Sequence, residues 1–255
     1  MIDAHKNTLV GIVIPCYNEE YRLSVKTYIS FLNQNKFINL IFVNDGSNDN
    51  TIGVLNKIVY QNSNAKIINF KSNLGKGEAV RQGVLQLIKE KYSFIGYWDA
   101  DLSTSLEEIH EFLLNFQNDK NIKSVIGSRI YKLGSDIQRK SLRHILGRVV
   151  TSILSFGPLN GIGVYDSQCG AKLFNIEICK IIFPRPFKTK WLFDVELLIR
   201  MDQIKAVNDS LYEYPLKKWI HKDGSKIKLL DFYKIIIEIV ILFRLKKRVS
   251  IDHQI

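Results

Sequence analysis

The strongest constraint on the fold is a regular alternation of two residue patterns over the first 130 residues. Short runs rich in β-branched residues alternate with longer segments in which apolar residues recur at helical spacing. This alternation predicts an α/β fold in which helices cover both faces of a mostly parallel sheet. The predicted strands are Leu9–Pro15, Asn39–Val43, Ala65–Phe70, Ser93–Trp98 and Ile122–Ile126, and the predicted helices span 20–34, 51–60, 77–90 and 105–117.

Each of the first four predicted strands is followed by a polar segment. Ligands of open parallel sheets bind beyond the carboxyl ends of the strands, so we expect these segments to form one site. The segments are PCYNEE (15–20), NDGSNDNT (44–51), SNLGKGEAVRQG (72–83) and DADLST (99–104).

Asp99 and Asp101 stand one residue apart at the end of the fourth predicted strand. Two carboxylates at this spacing repel each other unless a cation lies between them, and Mg²⁺ commonly uses one or two carboxylates together with substrate phosphates. A metal site is therefore one interpretation. In the other, Asp101 or Ser103 caps the helix that follows, and Asp99 is only solvated.

Two further segments have features of nucleotide binding. Asp45 could accept a hydrogen bond from a base N–H or a ribose hydroxyl, although its segment also fits a turn at Gly46 followed by a helix cap. The glycine-rich segment 72–83 precedes a helix and carries Lys76 and Arg81, which favours phosphate binding at the helix N-terminus. It matches neither the P-loop nor the dinucleotide-binding motif, which argues against a kinase or an NAD enzyme.

The two halves of the chain differ strongly in charge. Residues 1–130 hold 14 basic and 13 acidic residues, a net charge of +1, whereas residues 131–255 hold 22 and 12, a net charge of +10. This excess predicts an anionic partner for the second half. Nucleic acid is disfavoured, because Phe156 and Tyr165 are the only aromatic residues between 132 and 172, and single-strand binders interleave aromatic and basic side chains.

Two segments of the second half have the pattern of helices at a membrane surface. Segment 137–154 places apolar and basic residues on different helical faces, a pattern that also fits a core-packed helix with a solvated basic face. Segment 229–243 is apolar but too short and too charged to span a bilayer, and a basic cluster follows at 244–248. Because the N-terminus lacks a signal peptide and the cysteines lack disulfide or metal spacing, we expect a cytoplasmic protein bound peripherally to the cytoplasmic face of a membrane.

Six short motifs resemble those of family-two glycosyltransferases of the GT-A fold, in the same order and at similar spacing over residues 9–228. The resemblance is closest to the synthases of polyprenyl- and dolichyl-phosphate sugars, and WLFDVELL and WIHKDGSK resemble the dolichyl-phosphate glucosyltransferase branch. It implies a Rossmann-like GT-A catalytic domain with a nucleotide-sugar half at 1–130 and an acceptor half at 131–228, followed by an apolar helix and basic tail at 229–255. The six motifs are IVIPCYNEE, FVNDGSNDNT, NLGKGEAVRQG, DADLS, GSR and DSQCGAKLF.

The resemblance also implies roles for individual residues. The residues that would hold the base and ribose are Pro15, Tyr17, Glu19, Val43 and Asp45. Asp99, Ala100 and Asp101 would hold the ribose, the diphosphate and a Mg²⁺ or Mn²⁺ ion, and Arg129 would meet a phosphate. Close relatives that bind mannose often have Gln where this chain has Ser103, so the resemblance does not assign the residue that supplies the third metal ligand.

The resemblance implies an inverting transfer of a hexose, with UDP-glucose as the favoured donor, to a polyprenyl or dolichyl phosphate. A phosphate acceptor has a second pKa of about 6, so it needs cations more than a base. The predicted acceptor cations are Arg129, Arg139, Arg143 and Lys172. The alternative acceptor is a carbohydrate hydroxyl, which needs a base. Besides the metal ligand Asp101, the catalytic candidates are Asp166 and Asp194 as bases, although Asp194 also fits a cap for the helix VELLIRM.

Overall fold

The computed structural model describes residues 8–138, 152–205, 207, 210–222 and 232–252. The strands are β1 (Val10–Cys16), β2 (Ile38–Asn44), β3 (Ala65–Asn69), β4 (Phe94–Trp98), β5 (Ser124–Ser128), β6 (Asp136–Gln138), β7 (Ala171–Asn175), β8 (Leu211–Pro215) and β9 (Lys218–Ile220). The helices are α1 (Val25–Gln34), α2 (Thr51–Tyr60), α3 (Lys76–Ile88), α4 (Glu108–Asn118), α5 (Ile176–Ile182), α6 (Phe193–Gln203) and α7 (Phe232–Asp252). Residues 152–156 are also helical, and most of the predicted helix 137–154 lies outside the described residues.

Seven strands form one sheet in the order β3-β2-β1-β4-β7-β5-β8. The strands β3, β2, β1 and β4 are parallel to one another, whereas β7 is antiparallel to both β4 and β5. β8 is parallel to β5, and β6 pairs with β9 in a separate parallel ribbon. The prediction of a mostly parallel sheet with helices is confirmed, and the second half of the chain adds two strands to that sheet.

The central strands are buried on both faces. In β1, Ile12 and Ile14 contact the apolar cluster that includes α1, α2 and α4, whereas Val13 contacts the cluster that includes α3, α5, α6 and α7. All three side chains are fully buried. Burial of a side chain of this size contributes roughly 1.5–3 kcal/mol, which explains why the unbroken apolar run forms a central strand.

Helix α3 packs closely on β1 because glycine occupies the points of contact. A Cβ atom on Gly83 would lie 2.5 Å from Cγ1 of Val13, and one on Gly11 would lie 2.6 Å from Cδ2 of Leu87. This close packing brings the first residue of α3, Lys76, to the edge of the sheet where β4 ends.

One buried carboxylate joins the last helix to the loop before α6. Glu238 of α7 is 8% exposed and accepts hydrogen bonds from the backbone N–H groups of Lys190 (3.0 Å), Trp191 (3.0 Å) and Leu192 (2.9 Å). These residues directly precede α6, where a carboxylate compensates the unpaired N–H groups of a helix start. The same loop reaches the polar edge of the sheet, since Cδ of Lys190 lies 3.6 Å from the place of a Cβ on Gly75.

Helix α7 is amphipathic, as predicted for the C-terminal segment. Ile235, Glu238 and Leu242 face inward, whereas Tyr233 and Ile236 are among its exposed residues. Over the stretches that the structure describes, we find no helix with the length and apolarity that crossing a membrane requires.

Candidate active site

The polar segments after β1, β2, β3 and β4 meet at one edge of the sheet, as expected from its parallel strands. The pairing of Cys16 with Asn44 and of Asn44 with Asn69 brings the ends of β1, β2 and β3 together. After β4, the chain turns sharply at Leu102, whose φ of 56° is left-handed, and its N–H donates to the carbonyl of Asp99 at 3.3 Å. Asp99 and Asp101 both belong to this turn.

Asp99 is held by a lysine from the neighbouring helix. Oδ1 of Asp99 lies 2.6 Å from Nζ of Lys76, and the Asp99 side chain remains 37% exposed. Burial raises the pKa of Asp99, but Lys76, Arg129 and Lys172 more than offset this effect, so its pKa lies below the usual value. Asp99 is therefore ionised at neutral pH, and the ion pair raises the pKa of Lys76 despite the opposing effect of burial.

Asp101 accepts hydrogen bonds from two sides. Its Oδ1 accepts the backbone N–H of Ser103 at 2.9 Å, and its Oδ2 pairs with the guanidinium of Arg22, which also contacts Glu19. The side chain of Asp101 is 15% exposed. Sequence reasoning missed Arg22. This loop residue is 79 positions away from Asp101 in the sequence, and only the fold brings the two side chains into contact.

The alternative interpretation of Asp101 and Ser103 as helix caps is wrong. Helix α4 begins later, at Glu108, and its N-cap residue Glu107 makes no side-chain capping hydrogen bond. The bond from Ser103 to Asp101 instead stabilises the turn after β4.

The two carboxylates fit a hard divalent cation. Carboxylate oxygens suit Mg²⁺ and Mn²⁺, and Mg²⁺ usually completes its coordination with waters and substrate phosphates. In the described part of the chain, no cluster of three or more His, Cys, Asp or Glu side chains could hold a metal by itself. This donor set therefore fits an ion shared with a phosphate ligand, while Arg22 and Lys76 balance the charge of the two acids.

Asp45 organises the loop that leads into α3. Its carboxylate accepts hydrogen bonds from the side chain of Asn73 (2.9 Å) and from the backbone N–H groups of Leu74 (2.7 Å) and Gly75 (2.9 Å). Burial raises the pKa of Asp45 above its usual value, and the two backbone hydrogen bonds oppose this rise only in part. The next residue, Gly46, has a φ of +63° and faces the backbone of residues 72–73, so the predicted turn forms here.

The other residues predicted to hold the nucleotide occupy different environments. Pro15 and Tyr17 are partly exposed at the end of β1. Glu19 is buried, and its backbone N–H donates to Oγ1 of Thr51 at 2.7 Å. Val43 is fully buried in the core, so its side chain does not fit the predicted contact with a base. Ala100 is also buried, and its carbonyl accepts the Tyr28 hydroxyl at 2.9 Å.

Arg129 and Asp166 form a bidentate ion pair near the end of β5. Nε and Nη2 of Arg129 each lie 2.7 Å from a different oxygen of Asp166, and the Arg129 backbone N–H donates to the same carboxylate at 3.0 Å. Burial raises the pKa of Asp166, but Arg129 outweighs it and lowers the pKa to about 2. A carboxylate with so low a pKa is a weak general base at neutral pH.

Lys172 and Asp194 form a buried ion pair beneath the site. The Lys172 side chain is fully buried, and its Nζ contacts Oδ1 of Asp194 (2.5 Å) and the carbonyls of Ser167 (3.1 Å) and Cys169 (2.6 Å). Asp194 also accepts the hydroxyl of Tyr97 at 2.5 Å. The predicted contact of Lys172 with an acceptor phosphate does not fit this burial. Asp194 makes no capping hydrogen bond for α6, so its interpretation as a cap is wrong.

The predicted acceptor cations are thus not all brought together. Of the four, Arg129 remains partly exposed near the carboxylates, with its guanidinium 5.4 Å from the ring centre of Trp219, whereas Lys172 is buried. Arg139 and Arg143 lie outside the described residues.

Comparisons with known proteins identify the family to which this chain belongs. The sequence model of Glycosyl transferase family 2 matches residues 11–188. The dolichyl-phosphate beta-glucosyltransferase of Saccharomyces cerevisiae is 32% identical over 253 residues, which cover 91% of this chain and 73% of that protein. The enzyme of the same name from Dictyostelium discoideum is 32% identical over 235 residues, which cover 87% of this chain and 69% of that protein.

Solved structures support the fold. The crystal structure of Mycobacterium tuberculosis glucosyl-3-phosphoglycerate synthase matches with a TM-score of 0.68 at 18% identity, over 94% of this chain and 81% of that one. A structure of that synthase with Mn²⁺, UDP-glucose and phosphoglyceric acid matches with a TM-score of 0.66 at 19% identity, over 94% of this chain and 80% of that one. The α/β sheet predicted from the sequence is therefore confirmed as GT-A-like, and the chain is a glycosyltransferase that belongs to Glycosyl transferase family 2.

Proposed function

We propose that this protein transfers glucose from UDP-glucose to a polyprenyl or dolichyl phosphate. The single observation that carries the proposal is the pair Asp99 and Asp101, presented between two cationic side chains at the end of β4. Relatives that match 91% of this chain are named dolichyl-phosphate beta-glucosyltransferases, which supports the choice of sugar and acceptor.

The donor would lie over the ends of β1, β2 and β4. Asp45 holds the loop at 73–75 in place, and Asp99 and Asp101 would hold a Mg²⁺ or Mn²⁺ ion against the diphosphate. When bound, this ion neutralises the negative charge that develops on the departing nucleoside diphosphate. Lys76 and Arg22 orient the two carboxylates through their ion pairs and add positive charge next to the diphosphate.

The acceptor supported best is a phosphate monoester. An acceptor phosphate oxygen would form a bond to the anomeric carbon as the bond from that carbon to UDP breaks, with inversion at the carbon. A phosphate dianion attacks without a base, whereas a carbohydrate hydroxyl needs one. Neither base candidate suits that task, because Asp166 is locked to Arg129 and Asp194 is buried against Lys172. Arg129, with Arg139 and Arg143 as predicted, would attract the acceptor phosphate.

A test of the activity uses UDP-glucose labelled in its sugar, Mn²⁺, and either undecaprenyl phosphate or dolichyl phosphate. We expect label in the lipid fraction, released again by mild acid. Glucose oligosaccharides offered in place of the lipid serve as the competing acceptor. Label in the oligosaccharide but not in the lipid would overturn the phosphate acceptor and leave the glycosyltransferase in place.

We further propose that α7 brings the enzyme to the cytoplasmic face of a membrane. Its outer face, defined by Tyr233, Ile236, Ile237, Val240 and Phe243, is exposed and apolar. The exposed Ile153 and Phe156 extend it, since a Cβ on the neighbouring Gly157 would meet the ring of Phe243. Basic residues follow the outer face from Arg244 onward, and such clusters favour anionic lipid.

Flotation with lipid vesicles tests the role of the outer face. Ile236→Ser combined with Val240→Ser is expected to weaken binding to phosphatidylserine-containing vesicles by about tenfold or more, because each buried apolar side chain contributes roughly 1.5–3 kcal/mol. Tyr60→Ser removes an exposed apolar side chain on α2 and serves as the control. Equal flotation of both variants would show that α7 does not carry the contact.

A further inference from the structure

Gly170 lies directly beneath the carboxylate of Asp99. It precedes β7, which runs antiparallel to β4 with Ala171 paired to Trp98, so Gly170 stands opposite Asp99 where the two strands continue. Gly170 is itself buried.

The space above Gly170 is filled by that carboxylate. A Cβ atom added to Gly170 would overlap Cγ, Oδ1 and Oδ2 of Asp99, and these are its three nearest neighbours. The backbone of Gly170 does not itself require glycine, since the described glycines with positive φ are Gly46, Gly75, Gly134, Gly161 and Gly163. The need for glycine therefore comes from Asp99.

Asp99 is also held by Lys76, whose Nζ lies 2.6 Å from Oδ1. The carboxylate thus contacts the ammonium of Lys76 and fills the space in which a side chain at position 170 would lie. Because a Cβ at position 170 would overlap this carboxylate, we expect a side chain there to displace Asp99 and weaken its contact with Lys76.

We propose that Gly170 is a positioning residue for the metal carboxylate, an inference that rests on the proposed metal-dependent function. The absence of a side chain lets Asp99 keep the orientation in which it and Asp101 can share one cation. Groups that orient a metal ligand typically change metal affinity by 10–100-fold when altered.

The test is a titration of Mn²⁺ in the presence of UDP, followed by electron paramagnetic resonance, on Gly170→Ala. We expect the affinity for Mn²⁺ to fall by about tenfold or more, and UDP binding to recover when Mn²⁺ is raised in proportion. Gly53→Ala is the control, because the three atoms nearest to a Cβ there all belong to the flexible side chain of Asn50 and not to Asp99. Unchanged Mn²⁺ affinity in Gly170→Ala would overturn the proposal. If the unaltered protein itself bound no Mn²⁺ with UDP, the proposed metal dependence would fail instead.

A second measurement covers the case in which Gly170→Ala unfolds. The substitution is expected to lower the melting temperature when Asp99 is present and to have little effect in an Asp99→Ala background, because the overlapping carboxylate is then absent. An equal loss in both backgrounds would show that Gly170 serves the fold and does not position Asp99.

Discussion

Asp101→Asn is expected to lower the rate of glucosyl transfer by about 10²–10³-fold, the usual cost of removing one group that stabilises developing charge. The amide keeps the size of the carboxylate and can still accept the N–H of Ser103, so the turn after β4 should survive. It loses the negative charge that would bind the cation and leaves Arg22 facing a neutral group. Transfer of labelled glucose and Mn²⁺-dependent binding of UDP, measured by calorimetry, should fall together.

The matched control is Glu177→Gln on α5. Its carboxylate is exposed and pairs only with Lys180, and β7 runs antiparallel to β4, so α5 begins at the opposite edge of the sheet from Asp99. Glu177→Gln should keep full activity. If Asp101→Asn also kept full activity, the pair of acids would not be the metal site. The proposed mechanism would then lack the group that holds the diphosphate of the donor.

Lys172→Met is expected to lower the free energy of unfolding by about 3–5 kcal/mol, which urea titration can measure. The substitution leaves the Asp194 carboxylate buried without its counter-charge, and it removes the donor to the carbonyls of Ser167 and Cys169. Lys180→Met removes a surface lysine from a similar ion pair and should cost less than about 1 kcal/mol.

The double variant Lys172→Met with Asp194→Asn separates the structural role of Lys172 from a role in phosphate binding. It should recover part of the lost stability, because neither member of this buried pair then carries a charge. A direct contact with the acceptor would give the opposite pattern, in which Lys172→Met folds normally but needs much more lipid phosphate for half-maximal rate. That result would restore Lys172 as an acceptor ligand and contradict its observed burial.

Local sequence patterns were sufficient to predict the strands and helices of the first half of the fold. The β1 run is apolar on both faces and is bounded by polar segments, so its strand character follows from residues that are neighbours in the chain. The position of Asp99 and Asp101 followed in the same way, because parallel strands end at one edge of a sheet.

The contacts between distant segments could not be predicted from such patterns. β7 enters the sheet antiparallel between β4 and β5, and this pairing alone places Gly170 under Asp99. Arg22 reaches Asp101 through loop geometry, which has no periodic signal. Lys172 looked like a surface cation because charged residues are rarely buried, yet this residue of β7 is compensated by an acid from helix α6. Val43 was assigned to the ligand by resemblance, although its side chain belongs to the core.

The carboxylate of Glu238 joins two regions with different tasks. It ties α7, the helix proposed to contact lipid, to the backbone N–H groups of residues 190–192, and Lys190 lies close to Gly75 of the loop that Asp45 holds. A shift of α7 upon adsorption would therefore carry Lys190 with it. The same hydrogen bonds thus connect the helix proposed to contact lipid with the loop that Asp45 holds at the proposed donor site.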